Sequence, residues 1–230
     1  GGFDAVIGNP PYVRQESLTQ FKDYLSRNYQ AFDGVADLYV YFIERGVNLL
    51  NPKGLYSIIV SSSFLRTTFA KPLRKWLKEQ AAILRIVDFG GLPVFERAKD
   101  TYVCIPLFGK TSQLETIEIS KVQSLQNLEL EQFVSEQHYE ILPTQLTDVA
   151  WSIDSQEQLR LFNKIMGRGV GLGQYVEGRF FRGVTTGLNE AFVIDTATKE
   201  RLIAKNVKSA EVIKPLLQGE DIRRWHITPK

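Results

Sequence analysis

Short apolar runs alternate along the chain with longer segments whose apolar residues recur at helical spacing. The apolar runs predict buried strands over residues 3–7, 55–60, 83–89 and 101–108. Apolar residues three or four positions apart predict helices over residues 36–50 and 66–80, the first with Asp37 as its cap. This order is typical of an α/β protein and matches the second half of a doubly wound sheet, with a hairpin formed by the last two strands.

The remainder of the chain has weaker patterns. Residues 113–150 are acidic, contain one alternating strand around residues 116–119, and are predicted to be a connector. Residues 151–166 carry Leu159, Phe162 and Ile165 at helical spacing. The glycine-rich stretch 167–173 lacks a strand immediately before it, so it predicts a flexible joint rather than a phosphate loop. A smaller mixed α+β region is expected to follow.

Composition excludes several protein classes. The 230 residues are 43% hydrophobic and 23% charged, as in ordinary globular proteins. The sequence contains no apolar run of about 18 residues and no charged-then-apolar leader, so neither a membrane span nor a signal peptide is expected. Cys104 is the single cysteine, and apolar neighbours indicate a structural thiol. His138 and His226 lie far apart, so no metal site is predicted.

Charge is unevenly distributed along the chain although its net value is only +2. Residues 1–110 have a net charge of +4, residues 111–150 of −6 and residues 151–230 of +4. A polyanion would therefore be bound by the two ends rather than the middle. Ordinary solvated surface explains charges of this size equally well.

The segment Asn9-Pro10-Pro11-Tyr12 directly follows the first predicted strand. Two prolines make a stiff loop at the carboxyl end of a strand, where open α/β sheets place ligands. The Asn9 side-chain carbonyl and the Pro10 backbone carbonyl are two acceptors, and Tyr12 offers an aromatic face. Such a loop suits an exocyclic amino group on a base that has left the duplex stack. The same residues are also typical of a polar turn that merely ends the strand.

The stretch Phe3 to Tyr12 resembles the catalytic motif of amino-methyltransferases that use S-adenosylmethionine. It is most similar to DNA adenine methyltransferases of the gamma class, including those fused to type IIG restriction enzymes. The resemblance implies a Rossmann-like methyltransferase sheet and methyl transfer to the 6-amino group of adenine. It makes Asn9, Pro10, Pro11 and Tyr12 catalytic, with Asn9 and Pro11 also facing the cofactor.

Three further stretches resemble other parts of that family. Residues 37–42 resemble the helix beside the cofactor, which adds Phe42 to the cofactor-binding residues. Residues 54–65 resemble the next strand and loop. Residues 93–96 resemble the loop that lends a second aromatic ring to the flipped base, so Phe95 is expected to stack opposite Tyr12.

Residues 180–194 and 216–225 resemble the start of the TaqI-type specificity domain of these enzymes. The resemblance implies double-stranded DNA as partner and a division into a partial catalytic domain (1–112), a connector (113–150) and a partial specificity domain (151–230). Basic residues near glycines and aromatics suit contacts to the DNA backbone, and the candidates are Arg179, Arg182, Arg223 and Arg224.

Enzymes of this family normally have a preceding half with a glycine-rich loop and an acidic residue for the cofactor ribose. Neither feature is found in this sequence, so we expect a piece of a longer bacterial, cytoplasmic enzyme that lacks its cofactor-binding half and is inactive alone. Two alternatives stay open. Asn-Pro-Pro-Tyr also occurs in protein-glutamine and RNA methyltransferases, although residues 170–225 argue against these. A DNA-binding fragment without activity is the other.

Overall fold

A computed structural model of the chain describes residues 1–95, 102–179, 189–217, 221–224 and 226–227. These residues form two compact units, residues 1–169 and residues 170–230. The boundary lies inside the glycine-rich stretch predicted to be a joint. None of the helices in the described ranges is long and apolar enough to cross a membrane.

Unit 1 is built on a mixed sheet with seven described strands. The strands are β1 (Phe3–Gly8), β2 (Leu50–Ile58), β3 (Val60–Ser61), β4 (Ala82–Asp88), β5 (Val103–Gly109), β6 (Ile117–Lys121) and β7 (Tyr139–Ile141). Their order across the sheet is β1-β2-β5-β4-β6-β7, with β3 also paired to β5. The predicted α/β class is confirmed, and so is the single sheet that contains all four predicted strands.

Strand directions follow from the pairing. Strand β1 runs parallel to β2, β4 runs parallel to β6, and β5 is antiparallel to both β2 and β4. The predicted hairpin of the last two strands is therefore the β4–β5 pair. The second predicted strand is divided in two, since β2 ends at Ile58 and β3 starts at Val60.

Strand β1 is not the buried strand that its apolar sequence predicted. It forms one edge of the sheet, pairs only with β2 among the described strands, and exposes 59% of Phe3 and 88% of Ile7. Val6, which points to the opposite face, packs against the core. The prediction of burial was wrong because no described element covers the outer face of this strand.

The main core lies between the sheet and the helices α2 (Leu38–Asn48) and α3 (Lys71–Gln80). Both lie within the predicted helical ranges. They begin later than predicted because Asp37 is the N-cap of α2 and because short 3-10 helices, Ser62–Leu65 and Thr68–Ala70, precede α3. A 3-10 helix, Gln15–Phe21, and helix α1 (Lys22–Asn28) fill the segment between β1 and α2.

Residues 113–155 add several elements to unit 1. Strands β6 and β7 extend the sheet, and α4 (Leu130–Glu136) covers a second apolar cluster around Val87 and Val134. A 3-10 helix (Pro143–Gln145) follows, and Trp151 is fully buried with its ring 5.8 Å from that of Phe64. Both strands fall within the range 113–150 that was predicted to be a connector. The division into functional domains stays a prediction.

Helix α5 (Gln156–Met166) is shorter than the predicted segment because Ser155 caps it. The Ser155 hydroxyl accepts from the Gln158 backbone, and the Gln158 side chain accepts from the Ser155 backbone, which is a capping box. Its apolar residues Leu161, Phe162 and Ile165 are more than half exposed. They form a stripe that no described element covers.

Unit 2 contains short elements and one longer helix. They are α6 (Leu172–Tyr175), α7 (Asn189–Phe192), α8 (Thr196–Lys205), α9 (Ser209–Val212), β8 (Ile222–Arg223) and β9 (His226–Ile227), the last two being antiparallel. Asp195 caps α8 through a 2.7 Å bond from the Thr198 backbone. Large apolar side chains such as Tyr175 and Val212 are more than three-quarters exposed.

Candidate active site

One edge of the sheet collects polar residues from several strands. Strands β1, β2–β3 and β4 run in the same direction, so their carboxyl ends meet at this edge. Asn9 follows β1, Ser62 follows β3 and Asp88 ends β4. This is the position where open α/β sheets bind ligands.

The Asn9–Tyr12 loop is held by the start of helix α2. The Leu38 backbone donates to the Val13 carbonyl at 3.1 Å, and the Gln15 backbone donates to Asp37 Oδ1 at 3.0 Å. Asp37 occupies the N-cap position of α2, but its carboxylate binds this loop instead of the helix backbone. Burial is the largest influence on this carboxyl and raises its pKa. The predicted cap thus fixes the motif loop in place.

Two acceptors of the motif are available for a ligand. Neither the Asn9 side chain nor the Pro10 carbonyl takes part in a hydrogen bond within the described ranges of the chain. Asn9 is exposed, whereas Pro10 is buried. The loop therefore presents the two acceptor groups expected from the sequence, and both are unused.

A cavity of about 550 Å³ opens beside Tyr12. Its walls come from the motif loop, the start of α2, the turn after β3, the end of β4 and the residue before β5, and include Tyr12, Arg14, Asp37, Tyr39, Ser61, Ser62, Ser63, Arg66, Asp88 and Tyr102. Its volume is typical of small-ligand sites. Asn9, Phe42 and Phe95 are not among the described residues that line it.

Hydroxyl groups form a connected row on one wall of this cavity. Ser61 Oγ lies 2.7 Å from Ser63 Oγ, which lies 3.1 Å from the Tyr39 hydroxyl. Burial raises the pKa of Tyr39, so this hydroxyl stays protonated. The row can both donate and accept hydrogen bonds, which suits a ligand with mixed polar groups.

Tyr12 and Phe95, the predicted pair of stacking rings, are in contact with each other. Their centroids lie 5.5 Å apart and their planes are inclined at 65°, which is an edge-to-face contact. A base stacked between two parallel rings needs ring planes about 7 Å apart, because each stacking contact spans about 3.5 Å. The two rings must therefore separate or turn before a base could lie between them.

The residues assigned to the cofactor are accessible. Asn9 and Pro11 are exposed, and 41% of Phe42 is exposed. Phe42 is therefore not the core residue that its place on an amphipathic helix also allowed. An exposed aromatic ring and an amide fit one side of an adenosine-containing ligand, although these residues alone do not enclose one.

Two of the four arginines assigned to DNA contact have side chains that the structure describes. Arg179 pairs with Glu177 at 2.7 Å, and both side chains are mostly exposed. Arg224 is exposed in the turn between β8 and β9. Arg182 and the side chain of Arg223 lie outside the described residues. The roles of all four stay predictions.

Sequence reasoning missed the cavity walls formed by Ser61–Ser63, Arg66 and Asp88. Their signal was present, because each lies at or just beyond the carboxyl end of a predicted strand. Arg14 had a weaker signal, since it lies two residues after Tyr12 in a polar segment. Only the antiparallel insertion of β5 beside β2 and β4 brings these groups to one cavity.

Comparison with known proteins places the first part of the chain near one family. Residues 1–95 match the family model described as Eco57I restriction-modification methylase. Type II methyltransferase M.BstVI of Geobacillus stearothermophilus is 28% identical across 98% of this chain and 42% of its own length. The Type II restriction enzyme and methyltransferase RM.Eco57I of Escherichia coli is 34% identical across 47% of this chain and 11% of its own length.

A solved structure shows the same architecture. A chain from a type I restriction-modification system superposes with a TM-score of 0.52, at 14% identity, over 78% of this chain and 46% of its own. This likeness concerns the fold alone. The present chain spans less than half the length of each of these relatives.

Proposed function

We propose that this chain carries the substrate side of an S-adenosylmethionine-dependent DNA methyltransferase of a restriction-modification system. The target is the 6-amino group of adenine, turned out of the duplex toward the Asn9–Tyr12 loop. One observation carries this proposal: the Asn9 side chain and the Pro10 carbonyl are unused acceptors at the carboxyl edge of the sheet, beside the Tyr12 cavity. The match of residues 1–95 to the methylase family model supports it.

The chemistry follows from those acceptors. A primary amino group has two N–H bonds, which the Asn9 Oδ1 and the Pro10 carbonyl can each accept. Two such hydrogen bonds favour the more tetrahedral form of the nitrogen, which is more nucleophilic. They also stabilise the positive charge that develops on the nitrogen. Tyr12 stacks on the base and fixes its orientation, which contributes through alignment. Phe95 stacks on the opposite face once the two rings have separated.

The cofactor, when bound, supplies the electrophilic methyl group. In this proposal Phe42 contacts the adenosine part, and Asn9 and Pro11 border the cofactor on the side of the target base. All three are exposed for such contacts. Arg179, Arg182, Arg223 and Arg224 are the proposed contacts to the DNA backbone, and they would act through charge rather than by reading bases.

The test uses the protein at its natural length, unmethylated genomic DNA and tritiated S-adenosylmethionine. In the proposed function, Asn9→Ala reduces methyl transfer by at least about a thousandfold, because an oriented acceptor is lost from the reacting nitrogen. DNA affinity changes by less than about twofold. Asn163→Ala is the matched control, since Asn163 is exposed on helix α5 and is not among the residues that line the Tyr12 cavity.

The product identifies the substrate. Digested DNA should contain N6-methyladenine, measured by mass spectrometry. N4-methylcytosine would overturn the adenine assignment while leaving an amino-methyltransferase. Label incorporated into a glutamine-containing peptide or RNA, and not into DNA, would overturn the DNA assignment.

A further inference from the structure

Two guanidinium groups at the Tyr12 cavity form no hydrogen bond with any residue that the structure describes. Arg14 lies two residues beyond Tyr12, and Arg66 ends the 3-10 helix Ser62–Leu65. Both side chains are exposed and both line the cavity. Within the ranges that the structure describes, neither guanidinium makes a hydrogen bond or an ion pair.

The acidic groups of the same cavity are already engaged. Asp37 accepts from the Gln15 backbone, and Asp88 accepts from the Gly90 backbone at 3.0 Å. The charge of Arg66 also acts on Asp154, but the Asp154 carboxylate already forms an ion pair with Lys121 at 2.9 Å. A backbone N–H bond does not neutralise a carboxylate, and the charge of Arg14 also acts on Asp37. Among the described charged groups of this cavity, the two guanidinium groups are the ones whose N–H donors form no hydrogen bond, so they are the groups that can bind an anion there.

Guanidinium groups match phosphate in shape as well as charge, because their N–H groups can bind two phosphate oxygens at once. A nucleotide turned out of a duplex carries one phosphate on each side of its sugar. In the proposed function, a base that stacks on Tyr12 would bring both phosphates close to this cavity, which the two arginines line. A glutamine side chain of a protein, the alternative substrate, carries no phosphate.

We propose that Arg14 and Arg66 form a phosphate clamp that binds the two phosphates flanking the flipped nucleotide. This inference rests on the proposed function. The clamp positions the target sugar while Asn9 and Tyr12 hold the base. It also makes the cavity selective for a nucleotide within a strand over a free base or a protein side chain.

The first test measures methylation and binding in the protein at its natural length, on a duplex that contains the mapped target. Arg14→Gln and Arg66→Gln should each raise KM for DNA about tenfold or more, with a smaller effect on kcat. Each should reduce the slope of log affinity against log salt by about 0.9. Arg14→Lys should restore the slope but only part of the affinity, because an ammonium group cannot bind two oxygens in a plane.

Arg27→Gln is the matched control. It removes the same charge from an exposed residue of helix α1 that does not line the cavity. It should leave KM and kcat within about twofold of wild type. If both cavity variants behave like Arg27→Gln, the clamp is refuted.

The second test identifies the phosphates. Duplexes with a neutral methylphosphonate on the 5′ or the 3′ side of the target base remove one charge at a time. Each arginine variant should be insensitive to one of these two substitutions, because the contact is already absent. If the loss caused by an arginine variant and the loss caused by a methylphosphonate add at both the 5′ and the 3′ position, the clamp is refuted. Methylation lost in Asn9→Ala, together with wild-type KM and wild-type salt slope in both arginine variants, refutes the clamp alone. A wild-type protein that methylates no DNA refutes the proposed function as well.

Discussion

Tyr12 is 38% exposed at the mouth of the cavity, and its surroundings keep its hydroxyl protonated. Burial, and after it the nearby thiol of Cys104, raises the pKa of Tyr12 to about 12. A free tyrosine ionises near pH 10. Because the pKa in the fold is raised, the neutral form persists through pH 10 and is lost only as the pH approaches 12. The hydroxyl therefore supplies no base at neutral pH, which agrees with the proposed role of Tyr12 as a stacking ring.

This assignment predicts opposite outcomes for two substitutions of Tyr12. Tyr12→Phe keeps the aromatic face and should retain kcat/KM for DNA within about threefold, with the wild-type pH profile between about pH 7 and 9.5. Tyr12→Ala loses stacking of about 1–3 kcal/mol and should reduce kcat/KM by about 10- to 100-fold. Steady-state kinetics across this pH range check both. A pH profile altered by Tyr12→Phe would show that the hydroxyl takes part in proton transfer.

At the scale of elements, helix α2 approaches strand β2 through a glycine. A Cβ atom at Gly46 would overlap the Cζ and Cε1 atoms of the Tyr56 ring. That ring cannot turn away freely, because its hydroxyl donates to the Phe42 carbonyl at 3.0 Å. The contact sets the distance between the helix that carries Phe42 and the sheet that carries the motif loop.

We therefore expect Gly46→Ala to destabilise unit 1. Overpacking costs about 1–3 kcal/mol, and the overlap here, with the Cζ atom of the Tyr56 ring, belongs to the upper part of that range. The better helix propensity of alanine returns about 1 kcal/mol, so we expect a net loss of about 1–2 kcal/mol. Urea unfolding followed by circular dichroism measures it. Gly34→Ala is the control, since a Cβ there meets no atom within 4 Å. Equal midpoints for Gly46→Ala and wild type would contradict this account of the packing.

The elements also show what local sequence can and cannot predict. Apolar runs and helical spacing located strands β2, β4 and β5 and helices α2 and α3, because those signals depend on neighbouring residues. Burial of β1 was predicted wrongly, since an apolar run does not reveal whether anything covers it. The sequence patterns also did not show that residues 113–150 supply two strands of the sheet and carbonyl groups that bind a buried arginine. Arg74, fully buried, makes five hydrogen bonds to the carbonyls of Phe64, Thr67, Asp148 and Val149.

In the candidate site, too, local sequence predicted one part and not the other. The Asn9–Tyr12 loop could be read directly, because its acceptors and its stiffness belong to consecutive residues. The cavity beside it could not, because Ser61–Ser63 and Asp88 reach it only through the order of strands in the sheet. The edge-to-face contact of Tyr12 with Phe95 depends on residues more than 80 positions apart. Contacts at that separation leave no periodic signal in one sequence.

At the scale of the whole molecule, the edge strand β1 is less well covered than the core of unit 1. The helices α2 and α3 pack on the main core, whereas Phe3 and Ile7 on β1 are exposed. Exposed apolar side chains on an edge strand are typical of a surface that packs against a further element. Asn9 and Pro11, two of the residues proposed to contact the cofactor, directly follow this strand and are exposed, and the third, Phe42, is exposed on helix α2.

This openness predicts weak cofactor binding by residues 1–230 alone. Binding sites for ligands of this size bury about 70–90% of the ligand surface, whereas Asn9, Pro11 and Phe42 leave theirs open. Isothermal titration of the 230-residue chain with S-adenosylmethionine should give a Kd on the order of 1 mM or weaker, while the protein at its natural length binds at least about a hundredfold more tightly. Thermal unfolding of the 230-residue chain shows whether it is folded during the titration. A micromolar Kd for the folded chain would mean that the cofactor lies elsewhere. The 550 Å³ cavity beside Tyr12 would then be the first place to test, because the motif loop forms one of its walls.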